Sequence, residues 1–213
     1  MIECLTMSGK TNSDRKTLRR QATIAEIVTA AWDLSREKGL GNFSMRELGD
    51  AVGMRAQSLY SYFESKNEIF DAMFADGNRA FVIALDEPPR EPSSGADPVE
   101  VVSELARRFF HFCTSEPVRY QLLFQRTLPD FEPSPESYAI AEQGYRVAVA
   151  PLVELGFEED ELDIATAIMA GLVAQQLSND PTGDRWERLI ERATQMLLAE
   201  VRTDSPTTSR QGS

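Results

Sequence analysis

The sequence predicts an all-α protein of about nine helices, because three of its features point the same way. Apolar residues recur at helical spacing in almost every periodic segment, and no β-alternating run stands out. Capping serines, first-turn prolines and terminal glycines divide the chain into separate helices. The 213 residues, 42% hydrophobic and 26% charged, have the composition of a soluble globular protein.

The N-terminal part is expected to begin with a disordered basic arm over residues 1–16. A first helix should run from about Thr17 to Lys38, with an apolar side that includes Ile27 and Trp32. Gly39 and Gly41 follow as the usual signal for the end of a helix.

Two capping boxes mark the helices that come next. The second helix should begin at Ser44 and stop at Gly53, only about two turns later. The third is expected over Ala56–Phe63, and the fourth from Ser65 to about Leu85. Each of the two serines is followed three residues later by a glutamate, which is the spacing of a capping box.

The C-terminal part follows a low-complexity loop at Asp86–Asp97 and should contain five further helices. Pro151 falls inside one of them and should kink it. Residues 203–213 are expected to form a disordered tail, which leaves 17–66 and 67–202 as the two domains. The five helices are expected at Pro98–Ser115, Pro117–Leu128, Pro135–Leu155, Glu159–Ser178 and Asp184–Val201.

The charge distribution is strongly asymmetric, although the net charge is -12. Residues 1–66 carry ten basic and eight acidic side chains, whereas the rest of the chain carries twelve and twenty-six. Lys10–Arg20 holds five basic residues and one acid. This pattern suggests a small DNA-facing end on an acidic body, although a merely solvated tail explains the basic run equally well.

Phe43–Phe70 is predicted to be a helix-turn-helix that consists of two short helices joined through Gly53. Because helices this short cannot be stable alone, their apolar residues must pack against other residues. Leu48 and Val52 are expected to pack on Leu59. The third helix then exposes hydrogen-bond donors and aromatic rings of a size suited to base edges and phosphates.

This segment resembles the TetR/AcrR family of bacterial regulators over roughly residues 20–75. The resemblance lies in Phe43–Leu48, in Val52–Met54 and in Leu59–Lys66, the last with the pattern Tyr-x-Tyr-Phe-x-x-Lys. It implies a ligand-responsive repressor that binds double-stranded operator DNA as a homodimer. It also implies phosphate contacts by Ser44 and Arg46, base contacts by Arg55, Gln57, Tyr60 and Ser61, and backbone contacts by Ser58, Tyr62 and Lys66.

The body is expected to form a dimer interface and a pocket for a small-molecule effector of unknown identity. The alternative for each set of residues is ordinary core packing, which an aromatic run at helical spacing more often represents. The predicted interface residues are Leu172, Gln176, Trp186, Leu189, Ile190, Ala193 and Leu197. The predicted effector residues are Phe109, Phe110, Cys113, Tyr120, Phe124, Tyr145, Met169 and Gln176. Further polar candidates are His111, Gln121, Gln125, Arg126, Gln175 and Asn179.

Other chemistry finds little support in the sequence. His111 is expected to be packed or hydrogen-bonded rather than a metal ligand, and Cys113 to be buried rather than an oxidant sensor. The acidic run Glu158–Asp163 suits a helix N-terminus better than a cation site. We expect no metal, no cofactor, no catalytic motif, no signal peptide or membrane contact, and a cytoplasmic location. The alternatives are a constitutive or architectural DNA-binding protein and a small helical enzyme.

Overall fold

The computed structural model describes residues 5–86 and 97–204, and within these ranges it has nine α-helices and no strand. A 3-10 turn, Glu187–Leu189, precedes the last helix. The helices are α1 (Leu5–Lys38), α2 (Met45–Ala51), α3 (Ala56–Leu59), α4 (Lys66–Asp86), α5 (Pro98–Ser115), α6 (Pro117–Phe124), α7 (Pro135–Glu154), α8 (Glu159–Asn179) and α9 (Ile190–Asp204).

The all-α prediction is confirmed, but the predicted disorder of residues 1–16 is wrong from Leu5 onward, because α1 begins there. The segment from Lys10 to Lys38 contains no glycine or proline and many good helix formers. It lacks an apolar stripe before Leu18, so periodicity alone could not reveal it. Residues 1–4 lie outside the described part.

Several predicted boundaries shift at helix ends. The α-helical part of α3 stops at Leu59, and a hydrogen-bonded turn continues to Phe63. Helix α6 ends at Phe124 instead of Leu128, and α9 extends to Asp204, into the predicted tail. The rest of that tail lies outside the described residues, as does the Asp86–Asp97 loop except for its two end residues.

The N-terminal helices enclose a closed apolar core. Ile27 and Ala31 of α1, Leu48 of α2 and Leu59 of α3 are all fully buried. Side chains of α4, chiefly Ile69 and Met73, complete the cluster from the other side. Because α2 and α3 are too short to be stable alone, this shared core holds them in place.

Helix α4 belongs to both parts of the molecule. Its first half packs in the N-terminal core through Phe70 and Phe74, whereas Phe81 and Leu85 lie in the core of the body. Polar contacts reinforce this arrangement, since the indole of Trp32 donates to the Asp76 carboxylate at 3.0 Å.

The segment between α6 and α7 fastens the body to the N-terminal core. The ring of Phe131 packs edge-on against Phe70 and Phe74, with ring centroids 6.0 and 6.2 Å apart. The Asp71 carboxylate of α4 accepts hydrogen bonds from Ser134 N at 2.7 Å and from Ser137 Oγ at 2.8 Å. The first turn of α7 is therefore tied to the first turns of α4.

Within the described ranges, none of the helices combines the length and the hydrophobicity that a membrane span requires.

Candidate nucleic-acid interface and effector cavity

Helix α2 begins at a complete capping box. Ser44 Oγ accepts a hydrogen bond from Glu47 N at 3.2 Å, and the Glu47 carboxylate accepts one from Ser44 N at 2.8 Å. Lys38 Nζ lies 2.5 Å from Glu47 Oε1. The Lys38 ammonium and the Ser44 amide lower the pKa of Glu47 to about 2. The start of α2 is thus fixed by local contacts that the sequence spacing predicts.

The second predicted capping box is only half formed. Ser65 Oγ accepts from Glu68 N at 3.3 Å, but the Glu68 carboxylate accepts from Glu64 N at 2.7 Å instead of from Ser65 N. The Glu64 and Glu68 amides therefore both have an acceptor, so the helix start at Lys66 is still capped.

The turn between α2 and α3 depends on two glycines. Gly53 has a φ of +66°, which favours glycine. A Cβ at Gly49 would lie 2.7 Å from the Met54 carbonyl oxygen and 3.3 Å from Ala56 N. The backbones of α2 and of the turn before α3 therefore approach each other as closely as a helix-turn-helix requires.

The outer side of α3 carries the predicted base-contacting residues in exposed positions. Leu59 and Phe63 point into the core, and half of the Tyr60 side chain (51%) is exposed. The other exposed members of the predicted DNA set are Ser44, Arg46, Arg55, Gln57, Ser58 and Ser61.

Tyr62 connects this segment to α1. The side chain is partly buried, and the guanidinium of Arg20 lies 5.0 Å from the centroid of its ring. Arg20 Nη1 also donates to Ser61 O at 3.0 Å. Arg20 is therefore held beside α3, and the exposed Arg15, Lys16 and Arg19 continue along α1 from that point.

Lys66 is directed inward, which sequence reasoning did not anticipate. Lys66 Nζ donates to the Gly41 carbonyl at 2.6 Å and lies 4.7 Å from the Phe43 ring centroid and 5.4 Å from that of Phe70. Burial lowers the pKa of Lys66. The ammonium group holds the loop before α2 rather than extending toward solvent beside α3.

A cavity of about 550 Å³ lies in the body between α4, α5, α6, α7, α8 and α9. Five of the eight predicted effector residues border it: Phe109, Tyr120, Phe124, Tyr145 and Met169. Phe74 and Phe81 of α4 border it as well.

Three predicted effector residues do not border the cavity, namely Phe110, Cys113 and Gln176. Phe110 and Cys113 are buried in the core of the body instead of the cavity wall. Gln176 Nε2 donates to Gly183 O at 2.9 Å, and its Oε1 accepts from Trp186 N at 3.1 Å. Gln176 thus fixes the turn that follows α8.

The polar residues on the cavity wall differ from those that the sequence indicated. None of the further polar candidates, from His111 to Asn179, borders the cavity. The sequence does not show which polar residues on these helices border a cavity, because this depends on how the helices pack against one another. The polar residues on the wall are Asn78, Tyr120, Tyr138, Glu142, Tyr145, Thr166 and Thr194.

The predicted dimer surface on α8 and α9 is only partly available to a partner. Ile190 is fully buried and Gln176 is 3% exposed, so both serve their own chain. Leu189 is exposed, whereas the remaining predicted residues, Leu172, Trp186, Ala193 and Leu197, are partly buried. Ile164 and Met196 are large apolar side chains on the apolar stripes of the same helices, and they are 54% and 65% exposed.

Three other sequence features have clear surroundings in the structure. His111 Nε2 lies 3.0 Å from a Glu187 carboxylate oxygen. Cys113 is buried, and burial raises the pKa of its thiol. Glu158 and Glu161 form a capping box at the start of α8.

Known proteins resemble this chain both in its N-terminal segment and along most of its length. Residues 27–73 match the model of the family described as bacterial regulatory proteins, tetR family. The HTH-type transcriptional repressor Rv1353c of Mycobacterium tuberculosis is 26% identical in an alignment of 206 residues that covers 90% of this chain and 76% of that protein.

Solved structures share the fold. The regulatory protein SCO4313 has a TM-score of 0.67 at 21% identity, covering 86% of this chain and 98% of its own. RolR in complex with its ligand resorcinol has a TM-score of 0.55 at 20% identity, covering 89% and 97%. The capped α2, the glycine turn and the exposed α3 lie within the segment that the family model matches. Residues 27–73 of this chain are therefore similar to the helix-turn-helix segment of the TetR family of bacterial regulatory proteins.

Proposed function

We propose that the chain is a transcriptional repressor that binds operator DNA as a homodimer and is released when a small molecule enters the cavity. The position of Phe74 carries this proposal. This α4 side chain is buried in the N-terminal core and also borders the cavity. A ligand that displaces Phe74 therefore acts on the same core that holds α2 and α3.

The DNA contacts follow from exposure and position. Base edges are contacted by Arg55, Gln57, Tyr60 and Ser61, and phosphates by Ser44, Arg46 and Ser58. Tyr62 and Lys66 act as positioning residues, because the Tyr62 ring already contacts the Arg20 guanidinium and the Lys66 ammonium already donates to the Gly41 carbonyl. Arg15, Lys16 and Arg19 extend the phosphate-binding surface along α1, which suits a protein whose body is strongly acidic.

Release depends on helices α4 and α7, which both border the cavity and both pack against the N-terminal core. Helix α7 contributes Tyr138 and Tyr145 to the cavity, and its first turn is bound to Asp71 of α4. Asn67, at the start of α4, donates to the Asp130 carbonyl at 2.9 Å. A ligand that separates α7 from α4 thus shifts the start of α4, and coupling of this kind typically changes affinity about 5–150-fold.

Dimerisation is proposed through the outer faces of α8 and α9. Ile164 and Met196 leave apolar surface exposed there, and a Cβ added at Gly171 would meet none of the described residues within 4 Å. Two recognition helices held by such an interface can reach half-sites about one DNA turn apart. We assign the protein no catalytic residue and place it in the cytoplasm, where its operator lies.

The test is fluorescence anisotropy with duplexes that tile the DNA upstream of the chain's own gene, measured against a shuffled duplex. We expect at least one duplex to bind far more tightly than the shuffled sequence. Gln57→Ala should relax the preference at particular base pairs, whereas Gln143→Ala, exposed on α7, should change nothing. If every duplex binds like the shuffled one, the proposal is wrong.

The second candidate is a constitutive DNA-binding protein with no effector. The cavity is the observation that opposes it, since a constitutive binder has no need of about 550 Å³ of unfilled space. Operator binding that no cavity ligand changes would favour this candidate.

A further inference from the structure

The cavity wall has an unusual balance of charge. Seven aromatic rings border the cavity, and Glu142 is the charged residue among the bordering residues in the described part of the chain. Within residues 5–86 and 97–204, no lysine, arginine or histidine belongs to this wall. Aromatic faces carry partial negative charge, so the rings and the carboxylate present the same sign of potential to a ligand.

Three of these groups lie on one face of α7. Tyr138, Glu142 and Tyr145 follow one another at spacings of four and three residues, which places their side chains on the same side of the helix. All three border the cavity. The two tyrosine side chains are 56% and 44% exposed, so their rings flank the carboxylate at an accessible part of the wall.

The Glu142 carboxylate is available to a ligand. It pairs with Arg146 at 3.9 Å, close to the limit for an ion pair, and both side chains are more than half exposed. Arg146 does not border the cavity. A pair of this kind is worth little in water, so a cation inside the cavity can replace it at small cost.

The same features oppose anionic ligands. A carboxylate or phosphate in the cavity would find no basic side chain on the described wall and would be repelled by Glu142. Arg119 does not border the cavity, and its guanidinium stacks 3.8 Å from the Phe112 ring centroid and donates to the Phe112 carbonyl. A neutral apolar ligand gains burial, but it gains nothing from the carboxylate.

We propose that the cavity binds bulky hydrophobic organic cations, with the positive charge beside Glu142 and between the rings of Tyr138 and Tyr145. This inference rests on the proposed effector site and names its ligand class. The bulk of the ligand fills the apolar space next to Phe81 and Phe109, and the cation–π contacts and the ion pair select its charge.

Tetraphenylphosphonium and tetraphenylborate test the inference, because the two ions have nearly the same size and shape and opposite charge. Calorimetric titration of the full chain should show the phosphonium binding at least about tenfold more tightly. Glu142→Gln should weaken phosphonium binding about tenfold and strengthen borate binding. Glu136→Gln, on the same helix but away from the cavity, should leave both affinities within about twofold.

Further variants separate the charge effect from packing. Tyr145→Phe keeps the ring face and should retain most of the phosphonium affinity, whereas Tyr145→Leu should weaken it by about threefold to tenfold. Thermal unfolding of each variant checks that it is folded. Equal or tighter binding of the borate, unchanged phosphonium binding by Glu142→Gln, or failure of both ions to bind would each overturn the inference.

Adding both ions to the protein–operator complex distinguishes this inference from the proposed function. Phosphonium that binds the free protein but leaves DNA binding unchanged would contradict release by an effector and would leave the ligand class standing. Borate that releases DNA more effectively than phosphonium would support the effector site and overturn the ligand class.

Discussion

The N-terminal helices and the helices of the body place their polar groups in opposite ways. Around α2 and α3 the core is closed and most of the predicted DNA-contacting side chains, such as Gln57 and Tyr60, lie outside. In the body, Asn78 and Thr194 are almost fully buried and border a cavity. One region is therefore built to present a rigid outer surface, whereas the other leaves inner space unfilled.

The largest expected difference concerns packing. Leu59→Ala should destabilise the N-terminal region by about 2–5 kcal/mol, because it opens a void in a closed core. Phe109→Ala removes a larger side chain but borders space that is already empty, so it should cost only about 1–2 kcal/mol. Chemical denaturation of both variants checks this, and a larger cost at Phe109 would refute the comparison.

A matched pair of glycine substitutions comes next. Gly49→Ala should destabilise the protein by about 1–3 kcal/mol and weaken operator binding, because the new Cβ would press against backbone atoms of the turn. Gly171→Ala meets nothing within 4 Å among the described residues and should stabilise α8 by about 0.5–1 kcal/mol. Thermal melts should show a lower melting temperature for Gly49→Ala and a higher one for Gly171→Ala. Shifts in the same direction would contradict the assigned packing.

Lys66 and Arg46 separate positioning from phosphate contact. Lys66→Met leaves the Gly41 carbonyl without its donor and should cost about 1–2 kcal/mol of stability, with an unchanged salt dependence of DNA binding. Arg46→Ala should barely change stability and should reduce the slope of log affinity against log salt by about 0.9. Anisotropy titrations over a salt series measure both slopes. A reduced slope for Lys66→Met would restore its role as a phosphate ligand.

The smallest expected effect is a pH dependence at Glu47. Its pKa is about 2, below the ordinary 4.5, so the native state favours the ionised carboxylate. The resulting stability is fully present above pH 4.5 and is lost as the pH falls toward 2. Glu47→Gln should flatten that part of the stability profile, with Glu64→Gln as the control. An unchanged acid limb in Glu47→Gln would contradict a stabilising role for the capping box.

The two regions also differ in how far the sequence predicts them. Capping boxes and turn glycines are short-range signals, so Ser44, Gly53 and the exposed side of α3 were predictable. The inward direction of Lys66 was not, because the Gly41 carbonyl that it contacts is 25 residues away.

In the body the apolar stripes predicted the helices but not which side chains line the cavity. Phe109 and Phe110 are adjacent in the sequence, yet only Phe109 borders the cavity. Glu142 has no sequence signal of its own. Its importance depends on Tyr138 and Tyr145 and on the absence of basic residues from the described cavity wall. The helices that form this wall are distant in the sequence, so only the folded structure brings their residues together.

Filling the cavity should weaken operator binding through α4 and α7, and a cavity-filling substitution tests this coupling without any ligand. Ala148 is partly buried on the cavity wall, whereas Ala150 is exposed on the same helix away from it. We expect Ala148→Trp to lower operator affinity at least about fivefold while the protein stays folded and dimeric, and Ala150→Trp to bind like the parent chain. Undiminished operator binding by a folded Ala148→Trp variant, measured by anisotropy, would contradict coupling between the cavity and the recognition helices.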